Sequence, residues 1–254
     1  MKVVILGSGT SQGVPIIGCS CTTCVSENPK DKRLRVSCYI ETNNSRILID
    51  TSPDFRQQML LNKITDIDAV IYTHYHIDHI IGLDDIRQIN QLNNKAVEIY
   101  ANQDTMDRIK QTFSYAFDSN TYTGGGIPLL KPFTITSEKF YINSDEILPI
   151  VYHHGPVNVF GYRIGDFAYM TDCNRIPESQ YDKLKNLKVL VLDALRWRPH
   201  PTHFSIDEAI AEAGKIGALK TYFTHITHDV LHDEVNSRLP EGIELAYDGL
   251  VIEL

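Results

Sequence analysis

No apolar run in the 254 residues approaches the roughly 20 needed to cross a bilayer. Cysteine is scarce, and its five copies (Cys19, Cys21, Cys24, Cys38 and Cys173) are an odd number, which argues against a disulfide framework. Positive charge is in deficit: 24 Lys and Arg stand against 32 Asp and Glu, a net charge of −8. A large nucleic-acid footprint normally shows as a basic stripe, so nucleic acid is not the expected partner. A small anionic substrate stays open, because metal ions can supply positive charge that composition hides. No linker rich in Pro, Gly or Ser, no internal repeat and no low-complexity segment divides the chain. One domain over residues 1–254 is therefore expected. Met1-Lys2-Val3-Val4-Ile5-Leu6 meets Gly7-Ser8-Gly9 too early for a signal peptide and reads as a first strand, so the cytoplasm is the expected compartment, without a membrane anchor.

Short runs rich in Val, Ile, Tyr and Phe and broken by turn residues predict strands. They fall at Lys2–Gly7, Ser37–Thr42, Arg46–Thr51, Ala69–Thr73, Glu98–Ala101, Ile150–His154, Val159–Ile164, Phe167–Thr171, Val189–Asp193, Thr221–Thr224 and Leu250–Leu254. Helical periodicity appears at Ser52–Leu61, Asp84–Asn93, Gln103–Phe113, Ile206–Ile216 and about Asp229–Arg238. Ser205 with Glu208 forms a capping-box pattern at the fourth of these. Both halves alternate hairpins with helices, which suits an α/β fold: two mixed sheets packed together with helices outside, a four-layer sandwich. Ser119–Pro132, with Gly124-Gly125-Gly126, reads as a mobile surface loop.

Directly after the Ala69–Thr73 run come His74-Tyr75-His76-Ile77-Asp78-His79. An extended backbone projects His74 and His76 to one side, and Asp78 and His79 follow where the chain can turn into a helix toward Gly82. Three imidazoles and a carboxylate make a borderline-soft site suited to Zn, Mn or Fe. Cys19-Ser20-Cys21-Thr22-Thr23-Cys24 places three thiols in one short loop, for which a closed tetrahedral Cys₃His zinc is the usual solution. His228 is the natural fourth donor and His232 its rival, while Cys38 and Cys173 read as ordinary small residues.

His74-x-His76-x-Asp78-His79 resembles the signature of the metallo-β-lactamase superfamily, whose αβ/βα sandwich matches the element order. Later family positions are also filled, by His153-His154-Gly155, Thr171-Asp172 and Thr224-His225. The resemblance implies two catalytic divalent metals: one on His74, His76 and His154, the other on Asp78, His79 and His225, with Asp172 bridging. It favours His154 over His153 and makes Asp50 the carboxylate that orients a ligand histidine.

The Gly7-Ser8-Gly9-Thr10-Ser11-Gln12-Gly13-Val14-Pro15 opening, the cysteine loop and Thr224-His225-Ile226-Thr227-His228 further resemble the PhnP-type phosphodiesterases, which act on phosphoribosyl 1,2-cyclic phosphate. That resemblance implies a small anionic phosphodiester as substrate and is compatible with a homodimer. Asp78 and His203 are the catalytic residues it points to, His203 as general acid or phosphate contact, with His200 as the weaker rival. Arg196 and Arg198 could hold a second anionic group or simply form a solvated basic loop. Backbone amides of the Gly7–Gly13 loop could meet phosphate, although the Lys of a P-loop is missing. Two other readings use the same fold: an RNA-processing nuclease of the ribonuclease Z type, disfavoured by the acidic charge and the lack of an RNA-grasping arm, and a non-hydrolytic metal-binding or redox protein.

Overall fold

A computed structural model describes residues 1–118 and 126–254. Its strands are β1 (Lys2–Gly7), β2 (Ser37–Glu41), β3 (Arg46–Ile49), β4 (Ala69–Ile71), β5 (Val97–Ala101), β6 (Leu130–Thr134), β7 (Phe140–Ile142), β8 (Asp145–His154), β9 (Val157–Ile164), β10 (Phe167–Met170), β11 (Val189–Asp193), β12 (Lys220–Thr224), β13 (Ile243–Leu245) and β14 (Val251–Glu253). They form two seven-stranded sheets, ordered β14-β1-β2-β3-β4-β5-β6 and β13-β12-β11-β10-β9-β8-β7. The two are built alike. Each is antiparallel through its hairpins (β14-β1-β2-β3 and β7-β8-β9-β10) and parallel beyond them (β3-β4-β5-β6 and β10-β11-β12-β13).

Side chains alternate across each strand, so a strand covered on both faces is apolar throughout. Val3 and Ile5 of β1 enter the central core between the sheets, whereas Val4 and Leu6 face the helices packed on the first sheet. In the same way Phe167 and Tyr169 of β10 point inward, and Ala168 and Met170 pack under Ile206–Ile216. Each fully buried Ile, Leu or Phe in these layers contributes about 1.5–3 kcal/mol relative to its exposed state. The result is the four-layer sandwich expected from the element order. The capping box on Ser205 and Glu208 is formed as the sequence indicates.

Three strands escaped the sequence reading, and all are short and lie at or near sheet edges: β6, β7 and β13. The expected loop Ser119–Pro132 is therefore corrected at its end. Leu130–Thr134 pairs in parallel with β5, and Pro132 is tolerated there because β6 is an edge strand. Residues 119–125, with Gly124 and Gly125, lie outside the described residues. The last predicted helix shrinks to His232–Asn236, since Asp229 and Val230 belong to a loop held by other contacts described below. Among the described residues no helix is long and apolar enough to cross a membrane.

Candidate metal centre and active site

The chemistry-bearing residues gather where strands end. Asp50 follows β3, His74 follows β4, Asp172 follows β10, Asp193 ends β11, His225 follows β12 and His154 ends β8. Ends of parallel strands open a crevice, which is where α/β folds place ligands. Asp50, Asp172 and His225 have φ of 60°, 54° and 62°, a left-handed backbone that non-glycine residues seldom adopt. Such strain persists only where surrounding structure over-determines it, and it re-aims three polar side chains into one space. Gly82 completes the turn after His79. A Cβ there would lie 2.2 Å from the Ser52 carbonyl oxygen, so only glycine fits.

His74 donates from Nδ1 to the Thr73 hydroxyl (3.0 Å), which itself donates to Asp50, so its Nε2 carries no proton. That bare nitrogen faces His76 Nδ1 at 2.8 Å. His154 donates from Nδ1 to the Thr202 carbonyl (2.7 Å), which likewise frees its Nε2. His153 alternates to the other face of β8, and its backbone pairs with Arg175 instead. Ligand atoms of His74, His76, His154 and Asp172 all lie within 4.8 Å of one another, as do those of Asp78, His79 and His225. Asp172 belongs to the first set and also reaches the second: Oδ2 is 3.3 Å from His79 Nε2, and Oδ1 is 3.4 Å from His225 Nε2.

A second row of groups fixes the first. His79 donates from Nδ1 to Asp50 (2.7 Å), whose other oxygen accepts the Thr73 amide. Asp193, which the sequence reading missed, accepts from His203 Nδ1 at 3.2 Å and from the Phe204 amide at 3.0 Å, and lies 3.6 Å from His225 Nδ1. Its one signal was that β11, like β3, runs straight into an aspartate. His203 stacks on His225 with ring centroids 4.5 Å apart and sits 4.5 Å from His154. It also lies within ligand reach of Asp172 and His225.

The electrostatics call for a cation. Burial pulls the His79 ring down, but Asp172, Asp78 and Asp50 outweigh it and hold it well above its ordinary value. Burial works against the Asp172 carboxylate too, yet His225 and His79 carry it well below the usual range. Burial presses His74 far down and His225 to about 3, so both rings are neutral and able to donate lone pairs. His79 Nε2 and both His225 nitrogens are buried without a hydrogen-bond partner among the described residues. Unpartnered ring nitrogens beside carboxylates fit metal ions, and a cation there would satisfy all of them at once.

The cysteine cluster lies at the other end of the His225–His228 segment. Cys19, Cys21 and Cys24 place their sulfurs 3.3, 3.4 and 3.6 Å from His228 Nδ1. A hydrogen bond with the Cys24 backbone brings the Cys21 thiol down to about 7, and burial pushes Cys24 up to about 11. His232 is elsewhere, its ring against Tyr247. Cys38 and Cys173 are buried in the central and outer cores. Arg33, fully buried, donates to the Thr227 carbonyl (3.0 Å) and the Val230 carbonyl (2.8 Å), fixing the shared segment. The amides of Gly9, Thr10 and Gly13 donate to Leu34, Ile226 and Thr10, so the opening loop uses them internally rather than for phosphate. Arg196 Nη1 is 3.8 Å from Asp229, and Arg198 is exposed.

Residues 45–226 match the model of the Beta-lactamase superfamily domain, a span that takes in the histidine cluster but stops short of His228 and the cysteine loop. A solved structure described as a new diphosphatase from the PhnP family is similar at 42% identity and a TM-score of 0.93, covering 100% of this chain and 96% of that one. Zinc-bound PqqB from Methylobacterium extorquens shares the fold at 20% identity and a TM-score of 0.79, with 100% of both chains covered. A curated relative, an octanoyltransferase of Porphyromonas gingivalis, is 41% identical over 98% of this chain but only 51% of its own length. This chain thus spans about half of that relative.

Proposed function

Because the chain belongs to the metallo-β-lactamase superfamily, and within it is PhnP-like, we propose that this metal-dependent hydrolase cleaves small phosphodiesters. One observation carries the reading: Asp172 lies within ligand reach of His74, His76 and His154 and also sets its oxygens 3.3 and 3.4 Å from His79 and His225. His74, His76 and His154 would hold one ion and Asp78, His79 and His225 the other, with Asp172 shared. When bound, a pair of Zn, Mn or Fe ions supplies a hydroxide nucleophile at neutral pH and neutralises phosphoryl oxygens. The cysteines and His228 would hold one structural Zn.

The chain's own residues do the rest. Asp50 and Thr73 fix the tautomers and orientations of His79 and His74, and Thr202 does the same for His154. His203 is the group placed to deliver a proton. Burial opposes its charged form, but the Asp193 carboxylate prevails and raises the ring to about 9. Asp193 holds Nδ1–H, so Nε2–H is the proton that reaches a departing oxygen. The two carboxylates beyond the metal groups therefore divide the work, Asp50 orienting a ligand and Asp193 charging an acid.

Small size of the substrate is supported by the net charge of −8 and by the absence of a basic stripe in the sequence. The octanoyltransferase is about twice as long, and no acyl-transfer step is proposed for this chain. The test is a screen of purified protein, with metal content measured, against a cyclic phosphate, a linear nitrophenyl diester and a tRNA precursor. Turnover of the small diesters is expected. Cleavage of the tRNA precursor alone would overturn the reading.

A further inference from the structure

Asn174, which no step above uses, joins three pieces of the site. It lies just beyond Asp172, where its backbone amide donates to the His153 carbonyl (2.9 Å) and the His153 amide donates to the Arg175 carbonyl (3.0 Å). That backbone pairing sets its side chain beside the turn leaving β8. Asn174 Oδ1 accepts the Gly155 amide at 2.9 Å, and Nδ2 donates to the Pro201 carbonyl at 2.9 Å. The orientation is forced, because a backbone N–H can only donate and a carbonyl can only accept. Aspartate in its place would meet the Pro201 carbonyl with a second acceptor.

These bonds close into a ring. His154 Nδ1 donates to the Thr202 carbonyl at 2.7 Å, Thr202 follows Pro201, Pro201 is held by Asn174, and Asn174 returns to the residue after His154. The Pro201 carbonyl and the Thr202 amide belong to one planar peptide, and that amide faces His200 Nδ1 at 3.4 Å. His200 accepts there, so with Asn174 it holds both polar edges of the peptide. The turn itself has no room to shift: Gly155 has φ of 57°, and a Cβ on it would lie 2.7 Å from Thr202 Cγ2. His74 is oriented by the neighbouring Thr73, whereas His154 is oriented by a loop carbonyl 48 residues along the chain. Pro201 is exposed and Thr202 half-buried, so little packing fixes that carbonyl. It orients an imidazole only while the loop stays in place.

Resting on the metal-dependent hydrolase reading, we propose that Asn174 is a positioning residue for the metal pair. By tying Pro201 to the Gly155 turn it keeps the Thr202 carbonyl on His154 Nδ1, and with it the bare Nε2 that His154 offers beside His74, His76 and Asp172. Asn174 acts through Thr202 and His154 rather than on metal or substrate. Once the tie is cut, the His154 ring can turn, or take the tautomer whose Nε2 carries the proton and cannot ligate.

The experiment loads the wild type, Asn174→Leu and Asn174→Asp with zinc and titrates each with a chelator, counting metals per chain at every step. Leucine keeps the bulk and removes both bonds, while aspartate keeps the acceptor for Gly155 and loses only the donor to Pro201. Affinity for the more weakly held ion of the pair should fall about tenfold in both, the lower end of what outer partners of a ligand histidine contribute. The fall in Asn174→Asp is the sharper result, since an added negative charge by itself should tighten a nearby cation. Zinc at the cysteines should be held as in the wild type. The thermal midpoint of protein carrying that zinc alone should not move, because the backbone pairing of His153 with Asn174 and Arg175 is untouched. Unchanged affinity at the pair in Asn174→Leu would overturn the positioning role. So would a lowered midpoint with both clusters weakened together, the mark of a merely structural residue. A loss in the leucine variant but not in the aspartate one would put the effect at the Gly155 turn and overturn the link through Thr202. A wild type that binds metal at the pair but cleaves no diester overturns the diester reading and leaves this titration decisive. One that takes up only the cysteine zinc overturns the metal pair, and the role of Asn174 with it.

Discussion

The histidine cluster and the cysteine cluster meet along one short segment, His225 to His228, yet they are built differently. The first hangs from strand ends, with His74 and His79 at 0% exposure and His225 at 2%, and buried carboxylates stand behind its rings. The second hangs from a loop. Cys19, Cys21 and His228 are half-buried, and the nearest acid to His228 Nε2 is the exposed Asp229 at 3.8 Å. A closed site of soft donors needs only four ligands and contributes to folding outright. A site that must keep a position open for water and substrate needs its ligands oriented from behind. The second row of Asp50, Thr73, Asp193 and Thr202 sets the histidine cluster apart as the one with groups oriented from behind.

That contrast can be broken in four places, in order of effect on turnover. Asp172→Ala removes the carboxylate that lies with His74, His76 and His154 and also reaches His79 and His225, and kcat should fall by about 10³-fold or more, the scale of losing a key electrostatic group. Metal analysis should show the cysteine-held zinc retained. Near-normal turnover would remove Asp172 from the bridging role.

His203→Ala should cost about 10²-fold or more on a diester whose leaving group is a sugar alkoxide, and far less when nitrophenolate leaves, since that group needs little protonation. Equal slowing of both would replace proton donation by phosphate positioning. Loss of metal from the variant would make His203 a ligand, which its reach to Asp172 and His225 allows.

Asp50→Asn keeps the shape but weakens the hold on His79. About 10- to 100-fold in activity or metal affinity at the pair is the expected loss, with no change at the cysteines. Wild-type metal affinity and rate in this variant would show that the carboxylate behind His79 serves packing alone.

Cys21→Ser should move chemistry least and stability most. About 3 kcal/mol or more of folding free energy should vanish with the zinc, read as a lowered denaturation midpoint. An equally stable, zinc-free variant would show that the cysteine loop is no staple. The same chelator titration on the wild type should separate the two clusters, activity and thermal stability being lost in distinct steps.

How much of this the sequence revealed follows from chain locality. His74, His76, Asp78 and His79 fall within six positions and the three cysteines within six more, so spacing alone exposed them. His154, Asp172 and His225 are scattered over the second half and were reached through the family resemblance. The structure brings them together and sets His154, not His153, against His74, because alternation along β8 turns the two to opposite faces. Asp193 and Thr202 stayed hidden because an aspartate ending a strand and a threonine in a loop are common, and only the fold shows what they touch. Strands with both faces covered were easy to see. Edge strands β6, β7 and β13 bury less and leave a weaker pattern.

Ile226 is fully buried, donates its amide to Ser8 and accepts from Thr10, while Arg33 grips Thr227 and Val230. The stretch between the two clusters therefore acts as a ruler of fixed length. One inserted residue would carry a histidine away from its own cluster, and one deleted residue would do the same from the other side. Among descendants of such a chain, loops elsewhere are free to lengthen, but this interval is free to change only in a lineage that has already abandoned the cysteines.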